Sequence, residues 1–148
     1  MFTKILIALD HSKADHELLP RVKTLARLTG AQILLLHVST GWVARWQRNL
    51  NLTDSEEMME DRAYLERIEK QLREEGFTVT GRHSIGEPAD AILRIGREEK
   101  CDLIAMTTHG HRFLSDLIHG TTITKVRHET DIPVFLVKAP REYGSGSD

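Results

Sequence analysis

The chain holds a single cysteine, Cys101, among its 148 residues. A lone thiol closes no intrachain disulfide and builds no cysteine-based zinc site, which agrees with a reducing compartment and a core position for Cys101. Long apolar runs are also missing. Ile5 to Leu9 and Ile33 to Leu36 fall far below the roughly 20 residues of a membrane span, so none is expected. The opening Met1-Phe2-Thr3-Lys4, with its short apolar run, lacks the cleavage site of a secretory signal, and a cytoplasmic location is expected. Neither sign of charge dominates, because 20 Lys+Arg are interspersed with 22 Asp+Glu for a net charge of -2. Without a basic face to neutralise phosphates, no nucleic-acid partner is expected.

What remains is the composition of one ordinary folded unit, 40% hydrophobic and 28% charged. A chain of this length buries about 68–70% of its unfolded surface, so its core needs no covalent staple. Residues 1–140 are expected to form one domain. Arg141 to Asp148, with Gly144-Ser145-Gly146-Ser147, has the composition of a flexible tail.

Apolar runs alternate with helix-period segments, the pattern of βαβ units around a parallel sheet. Strands are expected at about Lys4–Leu9, Gln32–Val38, Thr78–Ser84, Asp102–Thr107 and Ile132–Val137. Thr78 to Ser84 alternates polar and apolar residues and suits a sheet edge. A first helix from about Ser12 to Thr29 turns Leu18, Leu19, Val22, Leu25 and Ala26 to one side, and Gly30 closes it. Thr53-Asp54-Ser55-Glu56 reads as a capping box opening a charged helix to about Glu75, with Met58, Met59, Leu65, Ile68 and Leu72 inward. Glu87-Pro88 opens a third helix, and a fourth is expected from about Gly120 to Glu129.

In such sheets ligands sit at the carboxyl ends of strands, where successive connections leave in opposite directions. Two strand ends carry unusual residues, Asp10-His11-Ser12 and Thr107-Thr108-His109-Gly110, and the second leads to Gly120-Thr121-Thr122. Amides at a helix start favour phosphate, and glycine lets an oxygen approach the backbone, yet Gly and Thr also serve as plain caps. Asp10 likewise suits an N-cap of the first helix as well as a ligand contact.

These segments together are similar to the universal stress protein family over roughly residues 2–139. The resemblance rests on Ile5-Leu6-Ile7-Ala8-Leu9-Asp10, Leu35-Leu36-His37-Val38, Gly86-Glu87-Pro88, Asp102-Leu103-Ile104-Ala105-Met106 and Pro133-Val134-Phe135-Leu136-Val137. Its most specific part is the loop of nucleotide-binding members, in which a Gly, two residues, a Gly, nine residues, a Gly and a Ser or Thr follow one another. Gly110, Gly120 and Thr121 fit that spacing, while Thr107 stands at the first glycine. The Thr107 hydroxyl could still bond a ribose or phosphate oxygen.

The resemblance implies a three-layer, doubly wound Rossmann-like α/β domain with a five-stranded parallel sheet in the order 3-2-1-4-5. It implies that Ala8, Leu9 and Asp10 lie by the base and ribose of ATP, or of AMP or ADP, with Val38, Met106 and Thr107 continuing the wall. Gly110 and Gly120 would admit the phosphates, Thr121 and Thr122 would donate to them, and Mg or Mn would bridge them. It implies a homodimer through the last strand and a stress-response role exerted on a regulatory protein partner. Catalysis beyond slow ATP hydrolysis is not expected, since no positioned base or arginine finger stands out. A nucleotide-free interaction module and a metal-dependent phosphate-ester or adenylyl-transfer enzyme are the alternatives.

Other residues read more plainly. His109, His111 and His119, with His11 as a possible neighbour across the crevice, match no metal spacing and are expected to face phosphate or solvent. His37 and His83 lie on strands and read as structural. Trp42 and Trp46 are expected to pack on their own domain, with a nucleotide cover, a partner contact or a membrane contact as alternatives.

Overall fold

The apolar runs become strands of one sheet in the computed structural model, which describes residues 1–40, 51–108 and 116–138. Along the chain these residues form β1 (Lys4–Leu9), α1 (Asp15–Thr29), β2 (Gln32–Thr40) and α2 (Asn51–Glu74). There follow β3 (Val79–Gly86), α3 (Pro88–Glu98), β4 (Leu103–Thr107), α4 (Asp116–Glu129) and β5 (Val134–Val137). The strands are parallel in the order β3-β2-β1-β4-β5, as expected. Connections therefore leave β1 toward β2 and return across it to β4, and the crevice between those departures lies at the carboxyl ends of β1 and β4.

Strand alternation divides the core in two. Ile5, Ile7 and Leu9 of β1, with Ile33 and Leu35 of β2, pack beneath Leu18 and Val22 of α1 and Leu65, Ile68 and Leu72 of α2. Leu6, Leu34, Leu36 and Val38 point the other way, against Ala89, Ile92 and Ile95 of α3 and Ile123 and Val126 of α4. Ile5, Leu6 and Ile7 are wholly buried, so both faces of the central strand are covered. At its start, Asp102 accepts from the Thr3 and Lys4 amides at 2.8 and 3.0 Å, and its own N–H donates to the Lys4 carbonyl at 2.9 Å.

Helix starts depart from the sequence reading. α1 begins at Asp15, because residues 12–14 form tight turns in which the Asp15 amide donates to the Ser12 carbonyl at 3.1 Å. α2 begins at Asn51, which places Thr53 to Glu56 inside the helix rather than at its cap. Once tertiary packing supports a helix, adding a residue fixes only one more dihedral pair per hydrogen bond, so polar segments extend it. Met59 is 70% exposed, against the inward position expected for it. The buried stripe runs through Asp61, Tyr64, Leu65, Ile68 and Leu72, and Met59 lies out of phase with it.

α4 begins at Asp116, so Gly120 falls inside it rather than at its start. An interior glycine costs a helix only about 1 kcal/mol relative to alanine, which the packing of Ile123 and Val126 outweighs. No helix among the described residues is long and apolar enough to cross a membrane. Trp42, Trp46, His109, Gly110, His111 and the Arg141–Asp148 segment lie outside the described residues.

Candidate functional site

At the crevice, residues of three strands and two helices line a pocket open to solvent. β1 contributes Ala8 and Leu9, with Asp10 directly after it, and β2 contributes Leu36, His37 and Val38. Met106 and Thr107 close the end of β4, Pro88 and Ile92 come from α3, and Thr122 comes from α4. The wall is mainly apolar, and its buried polar groups include Asp10, Thr107 and Thr122, at 8%, 5% and 7% exposure. Just beyond Thr107, the hydroxyl of Thr108 is buried with no hydrogen-bond partner among the described residues.

Local sequence explains how the pocket is held open. Glu87 is extended and caps α3, its carboxylate accepting from the Ala89 and Asp90 amides at 3.2 and 2.7 Å. Pro88 at the first helical position needs no amide partner, so the helix starts cleanly at the pocket rim. Lys125 of α4 reaches Asp90 at 2.6 Å and ties the two wall helices together at the surface.

Seven of the residues singled out from the sequence meet here: Ala8, Leu9, Asp10, Val38, Met106, Thr107 and Thr122. Gly120 and Thr121 lie in α4, the Thr121 side chain and Gly110 being outside the description. Asp10 is not the cap of α1. That position belongs to Ala14, which makes no side-chain cap, and Asp15 accepts the Asp10 and His11 amides, each at 2.8 Å.

Behind the pocket, on the side of the sheet covered by α1 and α2, lies a polar cluster. Strand register aligns Leu9 with His37 and His37 with His83 across three neighbouring strands. Asp61 of α2 descends onto this row, with Oδ1 at 2.6 Å from His11 Nδ1 and Oδ2 at 3.2 Å from His37 Nε2. Ser39 donates to Asp61 Oδ2 at 2.8 Å, so its single proton is used. His83 Nε2, 2.8 Å from the same hydroxyl, must then be the donor.

Burial alone would raise the Asp61 pKa, but hydrogen bonds from His37, His11 and Ser39 and the charge of His37 hold it well below the carboxylate range. Desolvation, followed by the neighbouring His37, lowers the His83 pKa, although Asp61 opposes this. Tyr64 donates to Asp15 Oδ2 at 2.7 Å and stacks on His11 with centroids 4.1 Å apart. Burial and then the Asp15 charge push the Tyr64 phenol well above its ordinary range. Burial likewise raises Asp15, although the Asp10 amide and Tyr64 work against it.

The sequence model of the universal stress protein family matches residues 1–138. The chain belongs to the universal stress protein family. It is 35% identical to a universal stress protein of Thermus aquaticus, over 93% of this chain and all of that one. Universal stress protein MJ0577 of Methanocaldococcus jannaschii is 27% identical, over 93% of this chain and 96% of its own length. The solved structure of MJ0577 superposes with a TM-score of 0.83 at 28% identity, covering 95% of this chain and 98% of that one.

Two more distant universal stress proteins share the fold. One, solved in complex with cAMP, has a TM-score of 0.67 at 17% identity and covers 93% of this chain and 97% of that one. The other, from Archaeoglobus fulgidus in complex with dAMP, has a TM-score of 0.68 at 21% identity and covers 93% and 98%.

The polar cluster departs from the sequence reading of this universal stress protein. His11, expected as a possible phosphate neighbour, is bonded to Asp61 and stacked on Tyr64. Asp61 and Tyr64 were not among the residues singled out from the sequence. Their signal was helical phase, since both share the stripe of Leu65, Ile68 and Leu72.

Proposed function

We propose that this family member binds an adenine nucleotide in the strand-end pocket and acts as a nucleotide-dependent regulatory protein. The observation that carries the reading is the convergence of Asp10, Thr107 and Thr122 on a mainly apolar pocket at the switch point of the sheet. Val38, Ile92 and Met106 suit the flat apolar face of a base. A carboxylate such as Asp10 suits the paired hydroxyls of a ribose, because it only accepts and they donate.

The residues present fit the group. The Thr107 side chain at the pocket wall carries a hydroxyl that can donate to or accept from a ligand oxygen or nitrogen. ATP is the preferred reading, with AMP and ADP as variants, and a bound Mg or Mn ion would neutralise phosphate charge. That two proteins of this fold were solved with cAMP and dAMP supports an adenine ligand. Slow hydrolysis at most is part of the reading, and steady-state turnover at ordinary enzyme rates that disappears in Asp10→Asn would contradict it.

Mass spectrometry of nucleotide released from denatured, freshly purified protein, followed by calorimetry with ATP, ADP and AMP with and without Mg, tests the assignment. Asp10→Asn should weaken ribonucleotide binding by about tenfold, equivalent to about 1.4 kcal/mol. Absence of bound or titratable nucleotide would instead favour an interaction module, in which the β-branched Thr107 at the strand end narrows the site.

The same reading includes a homodimer formed through β5, an edge strand whose Val134, Phe135 and Leu136 are only partly buried. Pairing two such edges would satisfy their open backbone groups. Light scattering after gel filtration checks this, and a single 16.9 kDa species would refute it. Cytoplasmic action on a protein partner completes the proposal.

A further inference from the structure

We propose that His11, His37 and Asp61 form a binding site for a divalent transition-metal ion of the zinc type, on the α1/α2 side of the sheet. The site is distinct from any ion carried by nucleotide phosphates. One ring nitrogen from each histidine and a carboxylate oxygen lie within 4.8 Å of one another.

Hydrogen-bond bookkeeping motivates a cation there. A carbonyl oxygen only accepts, so the 3.0 Å contact between His37 Nδ1 and the Leu9 carbonyl puts a proton on Nδ1. Nε2 of the same ring then faces Asp61 Oδ2 at 3.2 Å, so a positive centre belongs between them: the second ring proton that makes His37 the charged donor described above, or a metal ion taking that proton's place. Both residues are only 2% exposed. An imidazole whose far nitrogen donates to a backbone carbonyl is also the usual arrangement of a metal-bound histidine, because that bond fixes the tautomer and the ring.

The surroundings resemble a prepared second layer. Ser39 donates to Asp61 at 2.8 Å and is itself held by His83. His11 adopts φ 60, a backbone conformation uncommon for residues other than glycine. Asp15 accepts its amide and Tyr64 stacks on its ring. Four-coordinate zinc with bonds of about 2.1 Å sets its ligand atoms about 3.4 Å apart. His37 Nε2 and Asp61 Oδ2, 3.2 Å apart, are close to that spacing. The 2.6 Å contact of His11 Nδ1 is to the other carboxylate oxygen, Oδ1, and His11, with a side chain 21% exposed, has room to shift toward a shared ion.

Two imidazoles and one carboxylate favour zinc, cobalt, nickel or copper over magnesium or calcium, whose sites are built from oxygen. Three protein ligands leave a fourth position for water on the solvent side of His11.

The test uses the full chain, stripped of metal and nucleotide and titrated with Co(II). The expected result is the visible absorption of four-coordinate cobalt saturating at one ion per chain and displaced by Zn(II). His11→Ala and Asp61→Asn should each weaken binding by at least about tenfold, while His16→Ala, at an exposed position on α1, should leave it unchanged. Because the variants could fold poorly, long-range 1H–15N spectra of wild-type imidazoles provide an independent readout. Zinc should shift His11 Nδ1 and His37 Nε2. No cobalt band, undiminished affinity in folded variants, or shifts confined to His109, His111 or His119 would overturn the assignment.

Discussion

Asp102→Asn tests how the central strand is anchored at its start. The Asp102 carboxylate accepts from the Thr3 amide at 2.8 Å, the Thr3 hydroxyl at 2.9 Å and the Lys4 amide at 3.0 Å. Asparagine keeps one accepting atom and turns a donor toward the Thr3 or Lys4 amide, so one bond is lost and the charge assistance of the others disappears. Hydrogen bonds to buried charges contribute about 1.5–3 kcal/mol each, and solvent at this part-exposed site reduces that, giving an expected loss of about 1–2 kcal/mol. At about 2–4 °C per kcal/mol for a domain near this size, the midpoint should fall by about 2–8 °C.

The pH dependence gives the prediction a second arm. Burial raises the Asp102 pKa, but the Lys4 and Thr3 donors outweigh it and hold it below its ordinary value. A depressed folded pKa contributes stability that is complete above the unfolded value, about 3.9, and is lost as pH falls through the lower folded value. Urea melts of both proteins should therefore differ by a constant amount above about pH 5 and converge below about pH 4. A gap under about 0.5 kcal/mol at neutral pH, or one that does not narrow in acid, would refute the reasoning.

Three further outcomes are expected. Tyr64→Phe removes a 2.7 Å bond to the wholly buried Asp15 carboxylate and should cost about 1.5–3 kcal/mol in urea denaturation; a change near zero would mean solvent reaches Asp15. Burial pushes the Cys101 thiol up to about 11, so native protein at pH 8 should react with a disulfide reagent only as fast as it opens, and prompt labelling would contradict this. At Gly96 a methyl group would meet Ile132 at 3.5 Å and Ile104 and Leu6 at 3.8 Å, ordinary contacts. Gly96→Ala should therefore stabilise α3 by about 0.5–1 kcal/mol, and a lower melting temperature would count against it.

Strand order and the residues at the strand ends were legible because both depend on local signals and on chain connectivity. Ile5 to Leu9 and Ile33 to Leu36 are short apolar runs that read as covered strands, and the similarity of the motifs to one family supplied the order 3-2-1-4-5. Helix starts were less legible. Thr53 to Glu56 and Gly120-Thr121 carry capping signatures worth about 1 kcal/mol, and tertiary packing farther along each helix carried the structure past them.

The polar cluster depended on information of a different kind. That His37 lies beside Leu9 on one flank and His83 on the other is a matter of register, and a shift of one residue between strands would have turned each imidazole to the opposite face. Asp61, flanked by Glu60 and Arg62, looks like any residue of a solvated helix until its phase is measured back from Leu72, Ile68 and Leu65. A carboxylate in a buried stripe must find donors, and the donors within its reach come from β2 and the end of β1. The same requirement that makes Asp61 costly to bury therefore gathers two histidines around it, on the reverse side of the strand ends that line the pocket.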